Sequence, residues 1–310
     1  MKHMKTTTTL LIALALIISV KSFGQQDAMY SQYMFNQLLI NPAYAGNHEV
    51  LSANALFRDQ WVGIDGAPVT ETFSLDAPLF KNKVGLGVTV YNDKIGISKN
   101  TGGYLAYAYR IKFRKSTLAF GLQAGLSNLR ASYDQVEYSQ NNSMYDYAFS
   151  KNINELFPNF GAGLFYNSEK FYFGLSVPYL LKKSLFQHSN IEGYIQARHF
   201  FLSTGYVIKF NKDYVLKPSI LVKYVNGAPL EVDFNANLWF YEMLGVGASY
   251  RTGDAMIAML ELRLNNQLSV GYAFDYSLTE LNKFNYGSHE LMLKYDFNFS
   301  KTRIVTPRYF

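Results

Sequence analysis

Ser116-Thr117-Leu118-Ala119-Phe120-Gly121-Leu122-Gln123-Ala124-Gly125-Leu126-Ser127-Asn128 is the stretch on which the fold turns. Leu118, Phe120, Leu122, Ala124 and Leu126 take every second position, and Gly121, Gln123, Gly125 and Ser127 fall between them. A period of two puts the two sets on opposite faces of an extended chain. The pattern recurs. Leu51, Ala53, Ala55 and Phe57 oppose Ser52, Asn54 and Arg58, with Leu56 out of step. Val84, Leu86, Val88 and Val90 alternate with Gly85, Gly87 and Thr89. Leu291, Leu293, Tyr295, Phe297 and Phe299 oppose Glu290, Lys294, Asp296 and Asn298, with Met292 the exception.

Working outward, about fourteen such strands are expected. They lie near 48–59, 69–79, 84–91, 103–113, 117–130, 158–167, 170–179, 196–210, 214–225, 229–240, 244–251, 255–264, 268–276 and 289–299. Every second connection is short: Lys81-Asn82-Lys83, Arg114-Lys115-Ser116, Asn167 to Lys170, Asn211-Lys212-Asp213, Tyr241-Glu242-Met243 and Asn265-Asn266-Gln267. Those between are mostly long, notably 131–157, 180–195 and 277–288. Short turns at one end and longer loops at the other predict an all-β, transmembrane antiparallel outer-membrane β-barrel over residues 47–300, with both termini in the periplasm. A soluble β-sandwich also alternates, but its strands are normally shorter.

Composition points the same way. The chain carries 25 Tyr and 24 Phe, its charged fraction is 17%, and it has no cysteine. Its mean hydropathy is only −0.07. One lipid-facing row and one wet row per strand, with aromatic girdles, give that balance. Lys2 and Lys5 precede an apolar run from Leu10 to Val20, and Ser22-Phe23-Gly24 is a plausible cleavage site before Gln25, so residues 1–24 read as a secretory signal peptide. Of the 29 basic residues, Lys2, Lys5 and Lys21 leave with it, which against 23 acids makes the mature balance +3. No Lys/Arg cluster longer than Lys112 to Lys115 occurs, and nucleic acid is not an expected partner.

Residues 25–46 do not alternate. Ser31 is positioned to cap a short helix through Leu39, ended by Asn41-Pro42. Tyr33, Phe35 and Leu39 need burial, and the expectation is that this segment packs into the periplasmic mouth of its own barrel, with Asn41 and Pro42 turning into strand one. Docking onto a periplasmic secretion component is the alternative. Residues 301–310 form a C-terminal periplasmic tail or an assembly signal.

No chemistry-bearing motif competes with these readings. The pairs Gly85/Gly87, Gly161/Gly163 and Gly245/Gly247 lack the following helix of a phosphate cradle, and spacing by two puts each pair on one row, where close packing or a bend needs it. His48, His188, His199 and His289 lack metal spacing, no nucleophile elbow occurs, and no catalytic residue, metal or cofactor is expected. Arg58, Asp76, Arg110, Glu231, Asp233, Arg251, Glu261, Arg263, Asp275, Lys294 and Asp296 are spread over the strands, and most should line the lumen or sit at strand ends because charge is costly in hydrocarbon. There they form either a stiffening salt-bridge network or a polar cavity that receives a partner segment.

Gln32-Tyr33-Met34-Phe35-Asn36 followed by Leu39-Ile40-Asn41-Pro42-Ala43-Tyr44-Ala45-Gly46 closely resembles the opening signature of the PorP/SprF family of type IX secretion system outer-membrane proteins. Arg58-Asp59-Gln60-Trp61, Gly174 to Pro178, Ser249 to Ala255, Tyr276-Ser277-Leu278 and His289-Glu290-Leu291 extend the resemblance through the mature chain, with Gln37 standing where proline is common. The resemblance implies a non-enzymatic barrel of a Bacteroidota-type outer membrane, working with the secretion and gliding machinery to secrete and anchor a large adhesin through that adhesin's C-terminal domain. Lipid and periplasmic type IX secretion components are the other expected partners. Tyr133, Tyr138, Tyr145, Tyr147 and Phe149 in the 131–157 loop are the aromatic anchors expected to bind the adhesin, with loop self-packing as the competing role. A passive channel or hydrophobic-substrate transporter is the alternative function, because a lumen of about fourteen strands is wide enough for solute unless plugged.

Overall fold

The alternating segments pair with their sequence neighbours and then with each other's ends, closing a barrel. The computed structural model describes residues 29–133, 152–184 and 194–297. Its strands are β1 Leu51–Asp59, β2 Val69–Leu79, β3 Val84–Ile95, β4 Ser98–Lys112, β5 Ser116–Ala131, β6 Ile153–Ser168 and β7 Phe171–Val177. They continue with β8 His199–Tyr206, β9 Tyr214–Val225, β10 Glu231–Phe240, β11 Leu244–Arg251, β12 Ala255–Arg263, β13 Leu268–Ser277 and β14 Ser288–Phe297. Ile208–Lys209 prolong β8 beyond Val207, so the closed antiparallel sheet has 14 strands. The seam is β1 against β14, from Leu51↔Phe297 to Asp59↔His289, and β8 pairs β9 across the far side.

The two rows face as their chemistry requires. On β5, Phe120, Leu122 and Leu126 are exposed on the outer wall, while Ala119, Gly121 and Ser127 point into the lumen and are buried. Repeated around the sheet, this gives an apolar outer surface and a polar interior, the arrangement a bilayer imposes on strands. The short turns lie together at one end of the barrel, the turn end. The longer connections share the loop end.

Three strands extend four or five residues beyond the expected limits. β3 reaches Ile95 and β4 starts at Ser98, so a hairpin through Gly96, whose φ of +54° suits glycine, replaces the loop expected between them. β6 starts at Ile153. The outer row here turns polar: Asn92 donates to Glu71 and accepts from Thr101. Ladder hydrogen bonds continue where the hydrocarbon-facing pattern stops.

Candidate functional site

The lumen is filled by the protein's own N-terminal segment. Every residue from Ser31 to Asn47 is buried except Leu39, which is half-buried. At the loop end, the backbone N–H groups of Ser31 and Gln32 each donate to one carboxylate oxygen of Glu290, both at 2.8 Å. The Ser31 hydroxyl donates to Asp275 at 2.6 Å. Arg58 ties these groups together, donating to Ser31 Oγ at 2.9 Å, Glu290 at 3.2 Å and Asp275 at 2.8 Å. Arg251 donates to the Tyr30 carbonyl at 3.3 Å and to Asp233 at 3.0 Å. Glu290 is wholly buried, so its charge is tolerable only because guanidinium and backbone donors surround it.

From there the chain descends. Tyr33 Oη accepts from Asn235 at 2.6 Å. Phe35 meets Trp239 edge-on at 6.4 Å, and Asn36 donates to Ser74 at 2.8 Å. The segment then crosses to the opposite wall. Ser176 donates to the Ile40 carbonyl at 2.6 Å, and Asn41 donates to the Leu164 carbonyl at 3.0 Å while accepting from Ala43 N–H at 3.0 Å. This wall is cut away to admit a backbone. A Cβ at Gly85 would fall on the Ala45 carbonyl, at Gly121 on the Ala43 amide, and at Gly163 on the Asn41 side chain.

At the turn end, Gly46 N–H donates to Asp76 at 2.8 Å and Arg110 holds the Gly46 carbonyl and, at 3.2 Å, the Asn47 side chain. The Lys294 ammonium lies 2.8 Å from His48 Nε2. β1 then begins. The segment therefore runs the length of the barrel, from the loop-end charges to the turn-end junction.

This path corrects several expectations. The segment is not confined to the mouth at the short turns: Ser31 lies at the loop end and Phe297 at the turn end. No helix runs from Ser31 to Leu39; short 3₁₀ turns at Tyr33–Phe35 and Gln37–Leu39 replace it, because the Ser31 hydroxyl is drawn to Asp275 instead of capping. Asn41 and Pro42 do make a turn, but in mid-lumen, and Gly46 with φ +69° makes the bend nearer β1. The structure brings Tyr33, Phe35, Asn41 and Pro42 into the buried segment together, with Leu39 at its partly open margin. Tyr133 closes the described part of β5's outer end, and Tyr138, Tyr145, Tyr147 and Phe149 lie outside the described residues. Among the charges, the network and the receiving cavity prove to be one thing, and the received segment is the chain's own. Glycine spacing signalled close packing at Gly85, Gly87 and Gly163; Gly121, Gly174 and Gly271 belong to the same set and carried no distinguishing mark.

An apolar outer wall, a closed antiparallel sheet and a lumen occupied from within define an outer-membrane β-barrel with a built-in plug. The chain belongs to the PorP/SprF family of type IX secretion system membrane proteins, whose model matches residues 22–295. No curated protein matches it. Among solved structures it is similar to the KdgM porin (11% identity, TM-score 0.40, 80% of this chain and 99% of that one). It is similar also to Acinetobacter baumannii outer membrane protein Omp33 (11% identity, TM-score 0.46, 80% and 99%). The TodX deltaS2S3 mutant monoaromatic hydrocarbon channel is a further match (10% identity, TM-score 0.47, 90% and 98%).

Proposed function

We propose that this barrel is a non-enzymatic outer-membrane receptor of the type IX system that binds the C-terminal domain of a large secreted adhesin, supports its secretion and holds it at the cell surface. The short turns face the periplasm, within reach of periplasmic secretion components, and the loop end faces outward. The observation that supports a receptor over a passive channel or hydrophobic-substrate transporter is the occupied lumen: residues 31–47 stand where a permeant would pass. Their burial and their ionic grip at both ends make the plug a fixed part of the wall rather than a gate. Binding then falls to the loop end, where Tyr133, Tyr138, Tyr145, Tyr147 and Phe149 are the anchors we assign, since buried aromatic residues dominate protein interfaces.

Two measurements test this. Deleting residues 135–150 should leave barrel levels normal while surface adhesin is lost; unchanged adhesin removes the loop from the mechanism. In a planar bilayer the purified barrel should be silent. A steady open conductance would favour the channel.

A further inference from the structure

The turn end carries a charge pattern that plug and receptor roles leave unused. Lys81 and Lys83 in the β2–β3 turn and Lys112, Arg114 and Lys115 in the β4–β5 turn are all exposed. The two turns are joined: Lys112 Nζ donates to the Lys81 carbonyl at 3.3 Å, and Arg110 N–H donates to the Lys83 carbonyl at 2.8 Å. Among the described residues, none of the five cations meets a carboxylate within ion-pair distance. Exposed Phe80 and Phe113, at 76% and 55%, are interleaved with them.

Turn geometry does not demand this composition. Phe80, Lys81 and Asn82 hold φ of +49°, +58° and +61°, a strained choice for Phe and Lys where glycine is cheaper. The β10–β11 turn repeats left-handed φ at Tyr241 and Glu242, and there the charge is acidic. The β2–β3 and β4–β5 turns carry five basic residues and no acid, whereas Glu169 accompanies Lys170 in the β6–β7 turn and Asp213 accompanies Lys209 and Lys212 in the β8–β9 turn. Their arc of the rim is continuous with the lipid-facing wall above it, where Leu86, Tyr107, Tyr109, Ile111 and Phe120 are exposed. Cations bordering a hydrocarbon-facing row, with aromatic rings at the same level, match the headgroup zone of a bilayer.

We propose that the β2–β3 and β4–β5 turns form a binding site for anionic phospholipid headgroups, the lysines and arginine engaging phosphate while Phe80 and Phe113 rest at the acyl boundary. Assigning phospholipid as the source rests on the proposed orientation, which puts these turns in the periplasmic leaflet. An acidic protein surface is the competing occupant.

The test uses the full barrel in detergent, mixed with equal phosphatidylglycerol and phosphatidylcholine and read by native mass spectrometry. Wild type should retain phosphatidylglycerol in preference by about tenfold or more, since each cation near an anionic surface contributes about a fivefold bias. Replacing Lys81, Lys83, Lys112, Arg114 and Lys115 by Gln should bring the two lipids near parity, while Lys209→Gln with Lys212→Gln on another turn should change nothing. Equal phosphatidylglycerol retention by wild type and the fivefold variant overturns the site, and a secretion defect in that variant would then assign the patch to a protein. Exposed turns make misfolding of the variant avoidable, and heat-modifiable migration checks it. Orientation is read separately: Asn82→Cys in this cysteine-free chain should react with an impermeant maleimide only after the outer membrane is breached. Labelling in intact cells refutes the orientation and leaves the lipid result standing.

Discussion

The wall made by β3 to β7 and the wall made by β10 to β14 with β1 hold the same segment by different physics. The first meets it chiefly through glycines: Gly85 and Gly121 let backbone approach backbone, Gly87 admits the Leu38 side chain, and Gly163 and Gly174 admit that of Asn41. The second meets it through donors and charges, with Asn235, Arg251, Asp275, Glu290 and Arg58 reaching inward. The walls differ in height as well. β3 to β6 run 12, 15, 16 and 16 residues, with β7 alone short at 7, whereas β10 to β12 run 10, 8 and 9, near the roughly 9–11 a bilayer needs. One wall supplies shape and extends beyond the hydrocarbon; the other supplies polarity and barely spans it.

The contrast is most sharply tested by filling the shape wall. Gly121→Val should prevent barrel assembly, read as loss of heat-modifiable migration, because the added atoms would occupy the Ala43 backbone. Gly103→Ala, whose new Cβ meets nothing closer than 3.5 Å, should fold normally. Equal behaviour of the two variants would refute the cradle.

Next in size is the polar wall. Glu290→Ala leaves two backbone donors buried without their acceptor and removes one of the two carboxylates that neutralise buried Arg58, and it should destabilise the barrel by about 3–5 kcal/mol in denaturant unfolding from lipid vesicles. Phe35→Ala, which empties the contact with Trp239, should cost about 3 kcal/mol. Asn41→Ala, in the segment where it bonds the shape wall, should cost only about 1–2 kcal/mol, since one hydrogen-bond donor and one turn acceptor are lost. If Asn41→Ala proves as costly as Glu290→Ala, charge is not what distinguishes the second wall. At the small end, Lys283→Ala removes an ion pair with Glu280 on the exposed β13–β14 loop and should shift the midpoint by less than about 0.5 kcal/mol.

Sequence legibility followed the bilayer. Where a strand faces hydrocarbon, as at Phe120, Leu122 and Leu126, alternation is enforced and could be read directly. Above that zone Asn92 and Thr101 are as polar as the lumen row, so the outer parts of β3 and β4 lost their signature and were expected to be loop. The need to bury Tyr33 and Phe35 was equally plain, because apolar mass in a polar compartment requires cover. Their route was hidden. Ser31 has the chemistry of a cap, and only the fold reveals a nearer acceptor in Asp275. Gly121 looks like any strand glycine until a second backbone is seen beside it.

The bond from Ser31 to Glu290 joins residues 259 apart in a chain of 310. It lies inside a sheet whose last strand must seal against its first. A segment anchored in the lumen at both ends cannot be drawn in through a finished ring without passing its bulky residues through the opening. The barrel must instead wrap around it, so that the segment nearest the start of the chain is enclosed only when the last strand arrives, and closure of the seam becomes the step that registers the whole chain. Such extreme separation in sequence marks a slow, late event in folding, and it makes the N-terminal segment a template for its own enclosure.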